Sequence, residues 1–101
     1  MNIAINGFGR IGRNTLRNIF IRDIKQLEVV AINDLADTKT LAHLFKYDSV
    51  HGPFIGKVEF DENHLIINDQ KILITNEKDP QNLPWKVLNI DVVIESTGHF
   101  T

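Results

Sequence analysis

The chain opens on a short apolar run, Asn2-Ile3-Ala4-Ile5-Asn6, rich in β-branched residues and closed by Gly7, which predicts a first strand. From Arg10 the period lengthens. Ile11, Thr15, Leu16, Ile19 and Phe20 recur at steps of three and four, with Arg10, Arg13, Arg17 and Asn18 between them. That spacing predicts an amphipathic helix ending near Asp23, with its arginines on the solvated side. Leu27 to Asn33 is nearly continuous in apolar character, as expected of a strand buried on both faces of a parallel sheet. The three elements together predict a βαβ unit.

A second helix is predicted from about Thr38 to Lys46, capped by Asp37 or Thr38, with Leu41, Leu44 and Phe45 as its buried stripe. Asp48 to Gly56 holds Gly52, Pro53 and Gly56 and reads as a loop. Three strand-like runs follow, Lys57–Phe60, Leu65–Asn68 and Ile72–Thr75, separated by turn-forming polar residues. They predict an antiparallel excursion whose last strand rejoins the main sheet. Pro80 and Pro84 frame a short helical turn, Trp85 reads as a core anchor, and Ile90 to Glu95 reads as another buried strand. The chain stops seven residues after Ile94, at Thr101, without the helix that should cover that strand, which predicts the front of a longer protein. The fold class expected is α/β: a Rossmann-type, doubly wound, mostly parallel sheet with a small antiparallel excursion, incomplete at the C-terminus.

The glycines at 7, 9 and 12 satisfy GxGxxG after a strand and at the opening of a helix, within a βαβ unit of about 33 residues. Gly7 permits the tight turn, Gly9 lets backbone approach a pyrophosphate, and Gly12 lets the helix pack on the strand. The helix start offers unpaired N–H groups and the positive end of its dipole to phosphates. Asp34, at the end of the second strand and 22 residues after Gly12, is placed to accept hydrogen bonds from the ribose hydroxyls; its structural alternative is a helix N-cap. A 2′-phosphate would meet the charges of Asp34 and Asp37 with no arginine nearby, so NAD is favoured over NADP. Ser96-Thr97-Gly98 would end the last strand beside Gly7. Thr97 and Gly98 are thereby candidates for contact with the pyrophosphate or the nicotinamide ribose, or form a plain small-residue turn.

Composition narrows the chemistry. With 101 residues the chain holds one domain, and a formal net charge of -2 argues against nucleic acid as its partner, although residues 1–25 carry a local +4. No apolar run approaches the roughly 20 residues that span a bilayer, so no membrane is expected and the chain reads as a soluble cytoplasmic protein with its native start. There is no cysteine, hence no thiolate nucleophile and no cysteine-ligated metal. His43, His51, His64 and His99 lack metal-ligand spacing and read as solvated or structurally bonded. Neither a catalytic residue nor a metal site is expected.

Ile5-Asn6-Gly7-Phe8-Gly9-Arg10-Ile11-Gly12-Arg13, Ala31-Ile32-Asn33-Asp34-Leu35, Lys46-Tyr47-Asp48-Ser49-Val50-His51-Gly52 and Glu95-Ser96-Thr97-Gly98, in that order, resemble the first third of phosphorylating D-glyceraldehyde-3-phosphate dehydrogenases. The resemblance implies that Asn6, Gly7, Gly9 and Gly12 belong to the NAD site and that the backbone at Arg10 and Ile11 meets the pyrophosphate. It further implies Asp34 at the ribose and Lys78, where members often carry arginine, at the adenine side. Related erythrose-4-phosphate dehydrogenases usually carry glutamate where Asp34 stands and cysteine where Ser96 stands, and this chain follows the glyceraldehyde pattern at both. In the family a cysteine beyond the matched region attacks the aldehyde, hydride passes to NAD and phosphate releases the acyl group. The resemblance therefore implies an N-terminal, NAD-binding part of a homotetrameric glycolytic enzyme, inactive alone, with glyceraldehyde 3-phosphate and phosphate as substrates only of the complete protein. A free-standing, non-catalytic nucleotide-binding module would share the same motifs, and an erythrose-4-phosphate dehydrogenase segment is the other alternative.

Overall fold

The computed structural model describes residues 1–47 and 52–97. Its strands are β1 (Asn2–Asn6), β2 (Glu28–Asn33), β3 (Val58–Phe60), β4 (His64–Ile67), β5 (Gln70–Thr75) and β6 (Val92–Glu95), and its helices are α1 (Arg10–Ile21) and α2 (Thr38–Tyr47). All six strands form one sheet in the order β3-β4-β5-β2-β1-β6. β1 pairs parallel with β2 and β6, and β2 parallel with β5, whereas β3/β4 and β4/β5 are antiparallel. The mostly parallel sheet and its antiparallel excursion match the fold class expected from the sequence. So does the return of the third excursion strand to the main sheet.

Local chemistry explains the boundaries. α1 ends where Asp23 adopts a left-handed conformation (φ 49°), with Ile24 N donating to Ile19 O at 3.1 Å and Asp23 N to Phe20 O at 3.3 Å, the bonding of a Schellman stop. α2 starts at Asp37, whose Oδ1 accepts from Thr40 N at 2.8 Å. Between β4 and β5, Asn68 and Asp69 are both left-handed, as a two-residue hairpin turn requires. The 3₁₀ turn Pro80–Asn82 follows β5, and Asp79 caps it through Gln81 N.

One core cluster runs from Ile3 and Ile5 of β1 through Leu16 and Ile19 of α1 to Leu41 and Phe45 of α2 and the inward residues of β4 and β5. Phe45 joins Phe8 (6.3 Å between ring centroids) to Phe54 (4.9 Å), so the aromatic contacts tie the glycine turn to the loop after α2.

Four details differ from the sequence expectations. Arg17 is buried, not solvated: its guanidinium lies 5.9 Å from the Phe54 ring centroid and donates to Pro53 O at 3.4 Å. Ile11, in the first turn of α1, is exposed where the helical period predicted burial. Strand β6 is an edge, with Val92 and Val93 exposed, where a buried strand was expected. Trp85 is half-buried in the turn before β6 and does not join the core cluster. The loop expected from Asp48 falls partly outside the described residues.

Candidate functional site

β1 has β2 on one side and β6 on the other, so the strand order reverses at β1 and a crevice opens at the carboxyl ends of the strands. A cavity of about 670 Å³ occupies it. The end of β1 contributes Asn6 and Gly7, and the end of β2 contributes Asn33, Asp34 and Leu35. The segment leaving β5 adds Glu77, Lys78, Pro80 and Leu83, and the β6 end adds Glu95 and Thr97.

The glycine turn spends most of its amides internally. Gly7 N donates to Asn33 O (2.7 Å), Phe8 N to Asp34 Oδ2 (2.8 Å), Gly9 N to Ser96 O (3.0 Å) and Gly12 N to Ser96 Oγ (2.9 Å). Among the described residues, the amides of Arg10 and Ile11 have no acceptor. They open α1, where the helix dipole also favours an anion.

Gly7 is left-handed (φ 84°), and a Cβ there would lie 2.5 Å from Thr97 Cα. A Cβ on Gly12 would lie 2.7 Å from Ile5 Cγ2, in keeping with close helix–strand packing. A Cβ on Gly9 would strike the carbonyl oxygen of Ser96. The close approach at Gly9 is thus to the end of β6, whereas the sequence suggested only room for a phosphate.

Asp34 is not a helix cap, since Asp37 fills that role. The Asp34 carboxylate spans from Phe8 N to Ala36 N (2.9 Å), pinning the glycine turn to the end of β2 while bordering the cavity. Just outside, the Thr40 hydroxyl and amide hold the fully exposed Asp37 below the ordinary carboxylate range.

Of the residues singled out from sequence, Asn6, Gly7, Asp34, Lys78 and Thr97 line the cavity. Gly9, Arg10, Ile11 and Gly12 form the adjoining turn and first helical turn, and Gly98 lies outside the described residues. Sequence reasoning passed over Asn33, Glu77 and Glu95 in the cavity wall, and missed Ser96 as the group that caps α1 from across the sheet. A usable signal existed for Asn33: two otherwise apolar parallel strands each end in asparagine, and Asn6 pairs with Asn33 in register. Of the histidines, His43 packs on Tyr47 and His64 Nδ1 meets Asp61 Oδ1 at 3.0 Å, while His51 and His99 lie outside the described residues. Among the described residues no helix is long and apolar enough to cross a membrane.

The family model described as glyceraldehyde 3-phosphate dehydrogenase, NAD binding domain, matches residues 1–101. The chain is similar to the glyceraldehyde-3-phosphate dehydrogenase of Thermotoga maritima, with 62% identity over 98 residues (97% of this chain, 29% of that protein). It is similar also to those of Mycoplasma pneumoniae, with 54% identity over 100 residues (99% and 29%), and Geobacillus stearothermophilus, with 50% over 101 residues (100% and 30%). The chain therefore spans less than a third of the length of these relatives. With the family model matching along its whole length, the chain belongs to the glyceraldehyde-3-phosphate dehydrogenase family, as its NAD-binding domain, and NAD is the cofactor.

Proposed function

We propose that residues 1–101 are the N-terminal part of the cofactor domain of a phosphorylating glyceraldehyde-3-phosphate dehydrogenase and hold NAD in the cavity at the strand ends. The observation that carries this is the pairing of two amides without an acceptor among the described residues, Arg10 and Ile11, at a helix start with a carboxylate, Asp34, at the end of the neighbouring strand. The amides receive the pyrophosphate and Asp34 receives the adenosine ribose hydroxyls. Lys78 borders the adenine, Asn6 and Gly7 form the floor, and Thr97 with Gly98 meets the nicotinamide side. The carboxylates of Asp34 and Glu77, both lining the cavity, make a 2′-phosphate costly, which favours NAD over NADP.

When bound, NAD supplies a hydride acceptor, and the residues here only bind and orient it. In the complete enzyme the substrates are glyceraldehyde 3-phosphate and phosphate, and the oxidation uses a cysteine thiolate that these 101 residues lack. That enzyme works as a cytoplasmic homotetramer, with neither nucleic acid nor membrane as partner.

Calorimetric titration of the chain with NAD, NADP and ADP-ribose tests the binding half of the proposal. NAD and ADP-ribose should bind, NADP more weakly, and an absorbance assay with substrate, phosphate and NAD should show no turnover. Equal affinity for NADP, or turnover that survives removal of host dehydrogenase, would refute it.

A further inference from the structure

Asn33 ends β2 with only 6% of its surface exposed, and every hydrogen-bonding position of its amide is used. Its Oδ1 accepts from Thr75 Oγ1 at 2.6 Å and from Glu77 N at 2.9 Å. Its Nδ2 donates to Asn6 Oδ1 at 3.0 Å and to Glu77 O at 2.9 Å. Asn6 Nδ2 in turn donates to both carboxylate oxygens of Glu95, at 3.0 and 3.2 Å. Side chains thus tie together four neighbouring strand ends, β5-β2-β1-β6, along the floor of the cavity.

The direction of each bond is forced. Glu77 N can only donate and Glu77 O can only accept, which sets the orientation of the Asn33 amide. The Asn33 nitrogen can only donate, so Asn6 presents its oxygen and turns its nitrogen to Glu95, whose carboxylate can only accept. Neither the Asn33 nor the Asn6 amide can flip without opposing like groups. Main-chain pairing of β2 with β5 stops at Asn33↔Thr75, and beyond that point Asn33 holds both main-chain polar groups of Glu77. It extends the sheet by one side chain and, beside Asn76 Nδ2, which donates to Asp34 O (2.6 Å) and Ala36 O (3.2 Å), holds Glu77 and Lys78 where they line the cavity with Asp34.

We infer that Asn33 is a positioning residue for the adenosine half of the cofactor site, setting the distance between the 77–78 wall and Asp34 through its two bonds to Glu77. This rests on the reading of the cavity as the NAD site.

The decisive variant is Asn33→Asp, nearly identical in shape, which keeps two acceptor positions and removes both donors. On the full chain, its affinity for ADP-ribose should fall by about tenfold or more, since buried groups lose their partners. Affinity for nicotinamide mononucleotide should stay unchanged, and the Glu77 amide should lose hydrogen-exchange protection while the β1 and β2 amides keep theirs. A merely structural role would weaken protection throughout and leave the two half-ligands equally affected. Thr75→Val, which deletes one bond and lies outside the cavity lining, should move the same two readouts in the same direction by less, and it serves if Asn33→Asp does not fold. Unchanged ADP-ribose affinity, or retained Glu77 protection, overturns the inference. Failure of the underlying site reading is distinguishable: an Asp34→Ala variant would then bind ADP-ribose like the parent, and the inference would fall with it.

Discussion

The glycine turn that adjoins the cavity and opens α1 is held by its main-chain amides, whereas at the exit of β5 the cavity is held by side-chain bonds. At the first end the glycine turn has exhausted its inner amides on Asn33 O, Asp34, Ser96 O and Ser96 Oγ, and among the described residues the Arg10 and Ile11 amides have no acceptor. From the second end a directional relay of side-chain bonds runs from Thr75 through Asn33 and Asn6 to Glu95, across the strand ends between them. A wall of backbone tolerates changes of side chain until a Cβ collides with a neighbour. A wall of side chains instead tolerates changes of volume at its rim but no inversion of a donor inside. The two ends should therefore fail differently under mutation.

The largest effect belongs to the backbone end. Gly9→Val places a side chain against the Ser96 carbonyl, so either the turn or the end of β6 must move. Overpacking of this kind costs about 1–3 kcal/mol of stability. NAD binding should fall below detection while circular dichroism retains most of the helix signal, because the collision lies outside α1. Retained affinity would mean that the turn is not the phosphate site.

Asp34→Ala comes next, because Asp34 serves both ends: it holds Phe8 N in the turn and Ala36 N beyond β2. Losing hydrogen bonds from a charged group should weaken NAD binding by about 1.5–3 kcal/mol and narrow the preference over NADP. Calorimetry with both cofactors checks this, and an unchanged ratio between them would detach the carboxylate from ribose selection.

The two ends also differed in how much of them could be read from residues alone. The glycine turn was legible because its signal is local: GxGxxG sits between a β-branched run and a helical period, and the spacing carries the physics. The side-chain end was not, because Asn33 finds Thr75 and Glu77 more than 40 positions away and Ser96 reaches Gly12 across 84. Local periodicity was equally blind to Arg17. Its place on α1 is polar by pattern, but the loop after α2 brings Phe54 and the Pro53 carbonyl over it, so the arginine is buried by a neighbour rather than by its own helix. The end of the sheet misled in the opposite sense. Val92 and Val93 carry a buried-strand composition, yet they occupy an edge of this chain. The elements, and the meeting of the glycine turn with Asp34 at the cavity, followed from sequence; the bonds joining strand ends needed the fold.

A smaller effect separates capping from binding at the backbone end. Gly9 brings no side-chain cap to α1, and the Ser96 hydroxyl, buried and 2.9 Å from Gly12 N, does that work from the end of β6. Ser96→Ala should cost about 0.5–2 kcal/mol, the range for loss of an N-cap, and each kcal/mol should lower Tm by about 4–8 °C in a domain of this size. NAD affinity should change only a few-fold, since the Arg10 and Ile11 amides remain. A thermal melt beside a titration resolves the two, and an unchanged Tm would show that the hydroxyl contributes nothing to the helix start.

The smallest effect lies at the outer rim of the side-chain end, where Asp37 caps α2 but does not line the cavity. Its pKa is lowered by the Thr40 hydroxyl and then by the Thr40 amide, both of which favour the ionised carboxyl in the folded chain. A group with a depressed folded pKa stabilises the fold above its unfolded value and loses that contribution as pH falls through the folded value. The relevant window therefore lies below about pH 4, the ordinary range for aspartate. Asp37→Ala should lower Tm near neutral pH, and the gap from the parent should narrow on acidification below that point. Asp61 is also lowered, chiefly by the Asn63 amide and then by His64, but it is present in both proteins and cancels in the difference. NAD affinity at neutral pH should be the same for both. A Tm gap that stays constant through the acid range would show that the charge of Asp37 does not stabilise the helix start, and a loss of NAD affinity would show that the rim belongs to the site after all.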